Sequence, residues 1–143
     1  MKKMVVTGHG HFATGLQSAV ELLAGKNDDI LYIDFLQSDS SAILRAKYEA
    51  VLNENPDSEF LFFCDLLGGT PFKTAATMAF DKDRVEVVAG GNIGALIDMI
   101  VTKEEYTISE LVEQFITVNI SATGVFEKRA RSIQTEENGE DGI

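Results

Sequence analysis

The stretch "EFLFFCDLLGGTPFKTAATMAF", Glu59 to Phe80, joins a continuous apolar run to a glycine turn and then to a run opened by Thr and Pro. An uninterrupted apolar strand is what a parallel sheet covered on both faces requires. After the pair Gly68-Gly69, Thr70 suits a helix N-cap and Pro71 the first helical position, so residues 70–80 predict a helix that starts directly at the turn.

Outward from that unit, the same alternation repeats. Lys3 to Thr7 is short, apolar and followed by Gly8, while Phe12, Leu16, Val20 and Leu23 recur at the spacing of one helix face up to Gly25. "ILYIDF", Ile30 to Phe35, predicts a second strand. "SSAILRAKYEAVLNENP" opens with serines that can cap and stops before Pro56; Ile43, Ala46, Ala50 and Val51 are its expected inner face. "RVEVVAG" predicts a fourth strand and "NIGALIDMIV" a fourth helix. Thr107 and Glu110 form a capping box before a fifth helix, and "TGVFEK", residues 123–128, is the candidate for one more strand. Strands alternating with helices imply an α/β fold: a single doubly wound domain with a mostly parallel sheet and helices on both faces.

Bulk composition agrees with one domain. The chain has 143 residues, of which 45% are hydrophobic and 24% charged, values of an ordinary globular protein. A formal charge of −11 excludes a partner bound through a phosphate backbone, so no nucleic acid is expected. Residues 1–130 form the expected domain, and residues 131–143, ending "TEENGEDGI", an acidic tail expected to be disordered. No stretch has the length of a membrane helix, the N-terminus lacks the apolar region of a signal peptide, and a single cysteine allows no internal disulfide. The compartment these features suggest is the cytoplasm.

Ligands of doubly wound sheets bind beyond the carboxyl ends of the strands. That rule gathers Gly8, His9 and Gly10 after strand one, Asp34 near the end of strand two, and Asp65, Gly68, Gly69 and Thr70 after strand three. Three chemistries compete for this edge. Gly8, Gly10 and Ala13, with Asp34 further on, match the turn of a nucleotide-binding module. His9, His11 and Asp65 are acceptable metal ligands, although two histidines two apart need not converge. The third reading makes His9 a nucleophile: its neutral imidazole attacks through one nitrogen while Asp65 holds the other. In that case the glycines, the Thr70 hydroxyl and the helix N-terminus cradle an anion. His11 more simply packs or caps, Cys64 is an inert buried thiol, and Gly90, Gly91 and Asn92 line the same crevice or turn the chain.

Together, "VVTGHGHFATGL" (5–16), "FFCDLLGGTPF" (62–72) and "VVAGGNIGAL" (87–96) resemble the enzyme IIA component of the mannose family of the bacterial sugar phosphotransferase system. The resemblance spans residues 1 to about 130. It implies that His9 takes a phosphoryl group from the histidine-containing phosphocarrier protein and passes it to enzyme IIB, through which the membrane permease components are served. It assigns Asp65 to the imidazole's other nitrogen, and Gly68, Gly69 and Thr70 to the phosphoryl oxygens. It gives His11 no role, requires neither cofactor nor metal, and implies a homodimer in which a C-terminal strand, here 123–128, is exchanged and pairs antiparallel with the partner's sheet. The wording of "TGHGHFATGL" is closer to amino-sugar branches such as N-acetylgalactosamine than to mannose.

Overall fold

The computed structural model describes residues 1–128 as β1 (Lys2–His9), α1 (Phe12–Ala24), β2 (Ile30–Phe35), α2 (Ser41–Glu54), β3 (Glu59–Cys64), α3 (Thr70–Ala79), β4 (Val85–Ala89), α4 (Ile93–Thr102) and α5 (Ile108–Ser121). The four strands form one sheet in the order β2-β1-β3-β4, and every pairing is parallel. The expected α/β class and four-stranded parallel sheet are therefore present. The expected tail, residues 131–143, lies outside the described residues.

β3 runs through the middle of the molecule, and Phe60, Leu61, Phe62, Phe63 and Cys64 are all essentially inaccessible. Alternation sends Leu61 and Phe63 into one layer, with Val20 of α1, Leu96 of α4 and Phe115 of α5. Phe60 and Phe62 enter the opposite layer, with Leu44, Tyr48 and Leu52 of α2 and Met78 of α3. A strand flanked in this way has no polar face to offer, which is why its sequence is apolar throughout.

α1 crosses on one face and α2 on the other, so the winding direction reverses between β1 and β3. The loops leaving these two adjacent strands turn to opposite faces and open a crevice between them. That crevice is the topological switch point.

Two expectations need correction. α2 buries Leu44, Tyr48 and Leu52 rather than Ile43, Ala46, Ala50 and Val51: Ile43, Ala46 and Ala50 are exposed, and Val51 is only half-buried. Two stripes of mixed small and branched residues fit the helical period in this segment, and only packing against Phe62 selects between them. Leu23, expected on the inner face of α1, is likewise exposed. Residues 123–128, expected to exchange as a strand between two copies, follow α5 in this single chain without strand pairing to any described residue, leaving Val125 80% and Phe126 77% exposed.

Candidate functional site: a histidine–aspartate pair at the switch point

β1 carries on past Thr7 to end at His9, because its pairing with β2 continues through Gly8↔Asp34 and His9↔Phe35. Asp65 is the first residue beyond β3 on the other side. One carboxylate oxygen, Asp65 Oδ2, accepts both the His9 backbone N–H at 2.9 Å and the His9 Nδ1–H at 2.8 Å. An ionised carboxylate can only accept, so this geometry puts the ring proton on Nδ1 and leaves Nε2 with a free lone pair. The His9 side chain is 46% exposed and that of Asp65 14%, an accessible imidazole on a sheltered support. Phe35 of β2 meets the ring edge-on, with centroids 5.9 Å apart.

Two glycines make this approach possible. A Cβ on Gly8 would lie 2.5 Å from Phe12 Cδ1 and 2.8 Å from Asp65 Cβ and Cγ, so any side chain there would push Asp65 away from His9. A Cβ on Gly69 would lie 2.8 Å from His9 Cε1. The imidazole thus occupies the space that a side chain at residue 69 would need.

Gly69 rather than Thr70 is the N-cap of α3, a correction to the expected cap; Thr70 and Pro71 are the first two helical residues. The shift of one residue has a chemical consequence. A hydroxyl on the N-cap would fold back onto the helix amides, whereas the Thr70 hydroxyl, inside the first turn, has no hydrogen-bond partner among the described residues. Gly68 turns the chain at φ 82° just ahead. The helix N-terminus, with its unsatisfied N–H groups and positive end, therefore opens beside the imidazole.

His11 stands apart from this pair. Its Nδ1 lies 3.0 Å from Asp34 Oδ2, and the same carboxylate accepts the Thr14 hydroxyl at 2.7 Å and, on Oδ1, the Thr14 N–H at 3.0 Å. Asp34 therefore caps α1 from β2. Burial raises its pKa, but the two bonds from Thr14 and the His11 imidazole outweigh it and hold the carboxyl below its ordinary value. His9 and His11 are thus drawn to different aspartates on opposite sides of β1, and no metal-ligating group of three or more His, Cys, Asp or Glu occurs among the described residues. The carboxylate that a nucleotide turn would keep for a ribose is spent on Thr14. Gly90 to Asn92 turn the chain: Asn92 caps α4 by accepting Gly94 N–H, and its own N–H binds Asn119 of α5.

A short doubly wound domain with an aspartate-held histidine at its switch point defines a small class of α/β proteins. A family model described as the fructose IIA component of the phosphotransferase system (PTS), of the EIIA-mannose type, matches residues 3–116. The chain belongs to this family, the mannose-type enzyme IIA components of PTS sugar transport. It is 24% identical to the PTS fructose-specific EIIA component of Bacillus subtilis over 136 residues, covering 94% of this chain and 93% of that protein. It is 30% identical to the PTS mannose-specific EIIAB component of Escherichia coli over 133 residues, covering 92% of this chain and 41% of that longer protein. Among solved structures, the phosphotransferase system component EIIA of Streptococcus agalactiae superposes with a TM-score of 0.80 at 29% identity, covering 88% of this chain and 98% of that one. Among the described residues, no helix is long and apolar enough to cross a membrane.

Proposed function

We propose that the chain is a cytoplasmic phosphohistidine phosphocarrier. His9 Nε2 accepts a phosphoryl group from the histidine-containing phosphocarrier protein and delivers it to an enzyme IIB of a mannose-, fructose- or N-acetylgalactosamine-type permease. The observation that carries the proposal is the 2.8 Å contact of His9 Nδ1 with Asp65 beside the N-terminus of α3.

In the first transfer, the P–N bond of the donor's phosphohistidine breaks as a P–N bond to His9 Nε2 forms. The ring gains positive charge because Nδ1 keeps its proton, and the Asp65 carboxylate offsets that charge. The amides at the start of α3 and the Thr70 hydroxyl receive the phosphoryl oxygens, with Gly68 and Gly69 letting the backbone close in. Such in-line transfer is driven by positioning and charge, and these groups supply both. The second transfer reverses the roles of donor and acceptor, and membrane components are reached through IIB.

The test is intact mass at mildly alkaline pH after incubation with phosphoenolpyruvate, enzyme I and the phosphocarrier protein. The parent chain gains one acid-labile phosphoryl group and His9→Ala gains none. An unmodified parent alongside a phosphorylated donor overturns the proposal.

We also propose that the chain works as a homodimer. The outer edge of β4 is unpaired among the described residues, and residues 123–128 leave α5 with exposed apolar side chains suited to such an edge.

A further inference from the structure

Beneath His9 lies a pair of buried hydroxyls that phosphoryl chemistry does not call for directly. Val5, Thr7 and His9 alternate onto one face of β1, the face covered by α2 and α3. Thr7 is wholly inaccessible, and its hydroxyl lies 2.8 Å from the hydroxyl of Tyr48, which is equally inaccessible. Tyr48 donates in turn to the carbonyl of Pro71 at 3.4 Å. A carbonyl can only accept, so the protons run one way, from Thr7 to Tyr48 to Pro71.

The three residues belong to the three elements that must keep register for transfer: the strand that ends in His9, the helix α2 that braces it, and the first turn of α3 that carries the phosphoryl cradle. The Tyr48 ring is held edge-on against Phe62 of β3, with centroids 5.0 Å apart, so the hydroxyl cannot swing away. Burial pushes the phenol well above its ordinary value and the nearby Cys64 and Asp65 add to this, against a lowering by Thr7, so it remains a donor. The bridge is thus a side-chain tie between β1 and the first turn of α3, running through α2. The clearance between them is small, since a single Cβ added at Gly69 would lie 2.8 Å from His9 Cε1.

We infer that Tyr48 is a positioning residue for phosphoryl transfer: through Thr7 and Pro71 its hydroxyl fixes the gap between the His9 imidazole and the N-terminus of α3. The inference rests on the proposed phosphocarrier function and extends it to a residue that touches neither substrate nor partner.

The test measures single-turnover transfer from the phosphorylated carrier protein, together with thermal midpoints, for the full chain and for Tyr48→Phe, Thr7→Val and the double variant. Tyr48→Phe keeps the ring and loses only the hydroxyl. Its transfer at saturating donor is expected to fall by about fivefold or more, while the donor concentration giving half the maximal rate stays within about twofold, because a displaced cradle alters the reacting geometry and not the docking surface. Thr7→Val, which is isosteric and folds without the hydroxyl, is expected to slow transfer in the same way. The double variant leaves no orphaned hydroxyl on Thr7 and is expected to recover thermal stability but not rate. Parent-like rates in Tyr48→Phe and Thr7→Val, or a rate that recovers with the midpoint in the double variant, overturn the inference in favour of a purely structural bridge. A parent that takes no phosphoryl group removes the phosphocarrier function itself and this inference with it.

Discussion

Asp65 illustrates how one side chain decides what a histidine can do. By accepting both the His9 amide and its Nδ1–H on a single oxygen, it fixes the ring's position and tautomer together. Asp65→Asn keeps the shape and removes the negative charge that, in the proposed mechanism, offsets the phosphorylated ring. Transfer to and from His9 should slow by roughly 10–100-fold with an unchanged far-UV spectrum, measured by quenched-flow mass analysis. Equal rates in variant and parent would remove Asp65 from the mechanism. The residues of this pair were legible in the sequence because a glycine-flanked histidine and a strand-terminal aspartate are both local signals. Tyr48 and Thr7 were not, because a tyrosine in a helix and a threonine in a strand carry no mark of a partner 41 residues away.

At the scale of elements, a cationic knot ties the far end of α4 to the start of β2. Lys103, the C-cap of α4, is almost wholly buried; its ammonium donates to Asp29 at 3.0 Å and to Glu104 at 2.8 Å, while Lys3 reaches the other oxygen of Asp29 at 3.1 Å. Burial raises the pKa of Asp29, and the hydrogen bonds and charges of Lys103 and Lys3 more than reverse this, leaving it below 3.8. A carboxyl with a lowered folded pKa stabilises the fold above its unfolded value and loses that contribution as pH falls through the folded one. Asp29→Asn should therefore cost about 1–2 kcal/mol at neutral pH, measured by urea denaturation, Asp29 being partly exposed and Lys103 not. The gap between variant and parent should close as pH drops below 3.8. A gap independent of pH would show that packing and not charge holds these elements together. Element type was readable from apolar period and caps: the Thr107–Glu110 capping box is formed on both sides. Which side of α2 faces inward was not readable, since the choice depends on the surface of β3.

The whole molecule presents its site on one edge and an unfinished sheet on another. β4 ends the sheet among the described residues, while Val101 of α4 and Ile116 and Ile120 of α5 are exposed. Exposed apolar groups of this kind suit the proposed interface with a second copy. Static light scattering at micromolar concentration should return twice the 15.6 kDa of one chain. Phe126→Asp should move that mass toward the monomer; a monomeric parent would refute the dimer.

By itself the sequence determined the α/β class, the order of strands and helices, and the residues at the carboxyl edge, because these follow from periodicity, breakers and a general rule about where such sheets bind ligands. Only the tertiary structure decided that Gly69 and not Thr70 caps α3, that Asp34 serves the start of α1, and that Leu44, Tyr48 and Leu52 face the core. The last two turn on contacts between segments far apart along the chain, and local pattern holds no information about a distance that folding alone sets.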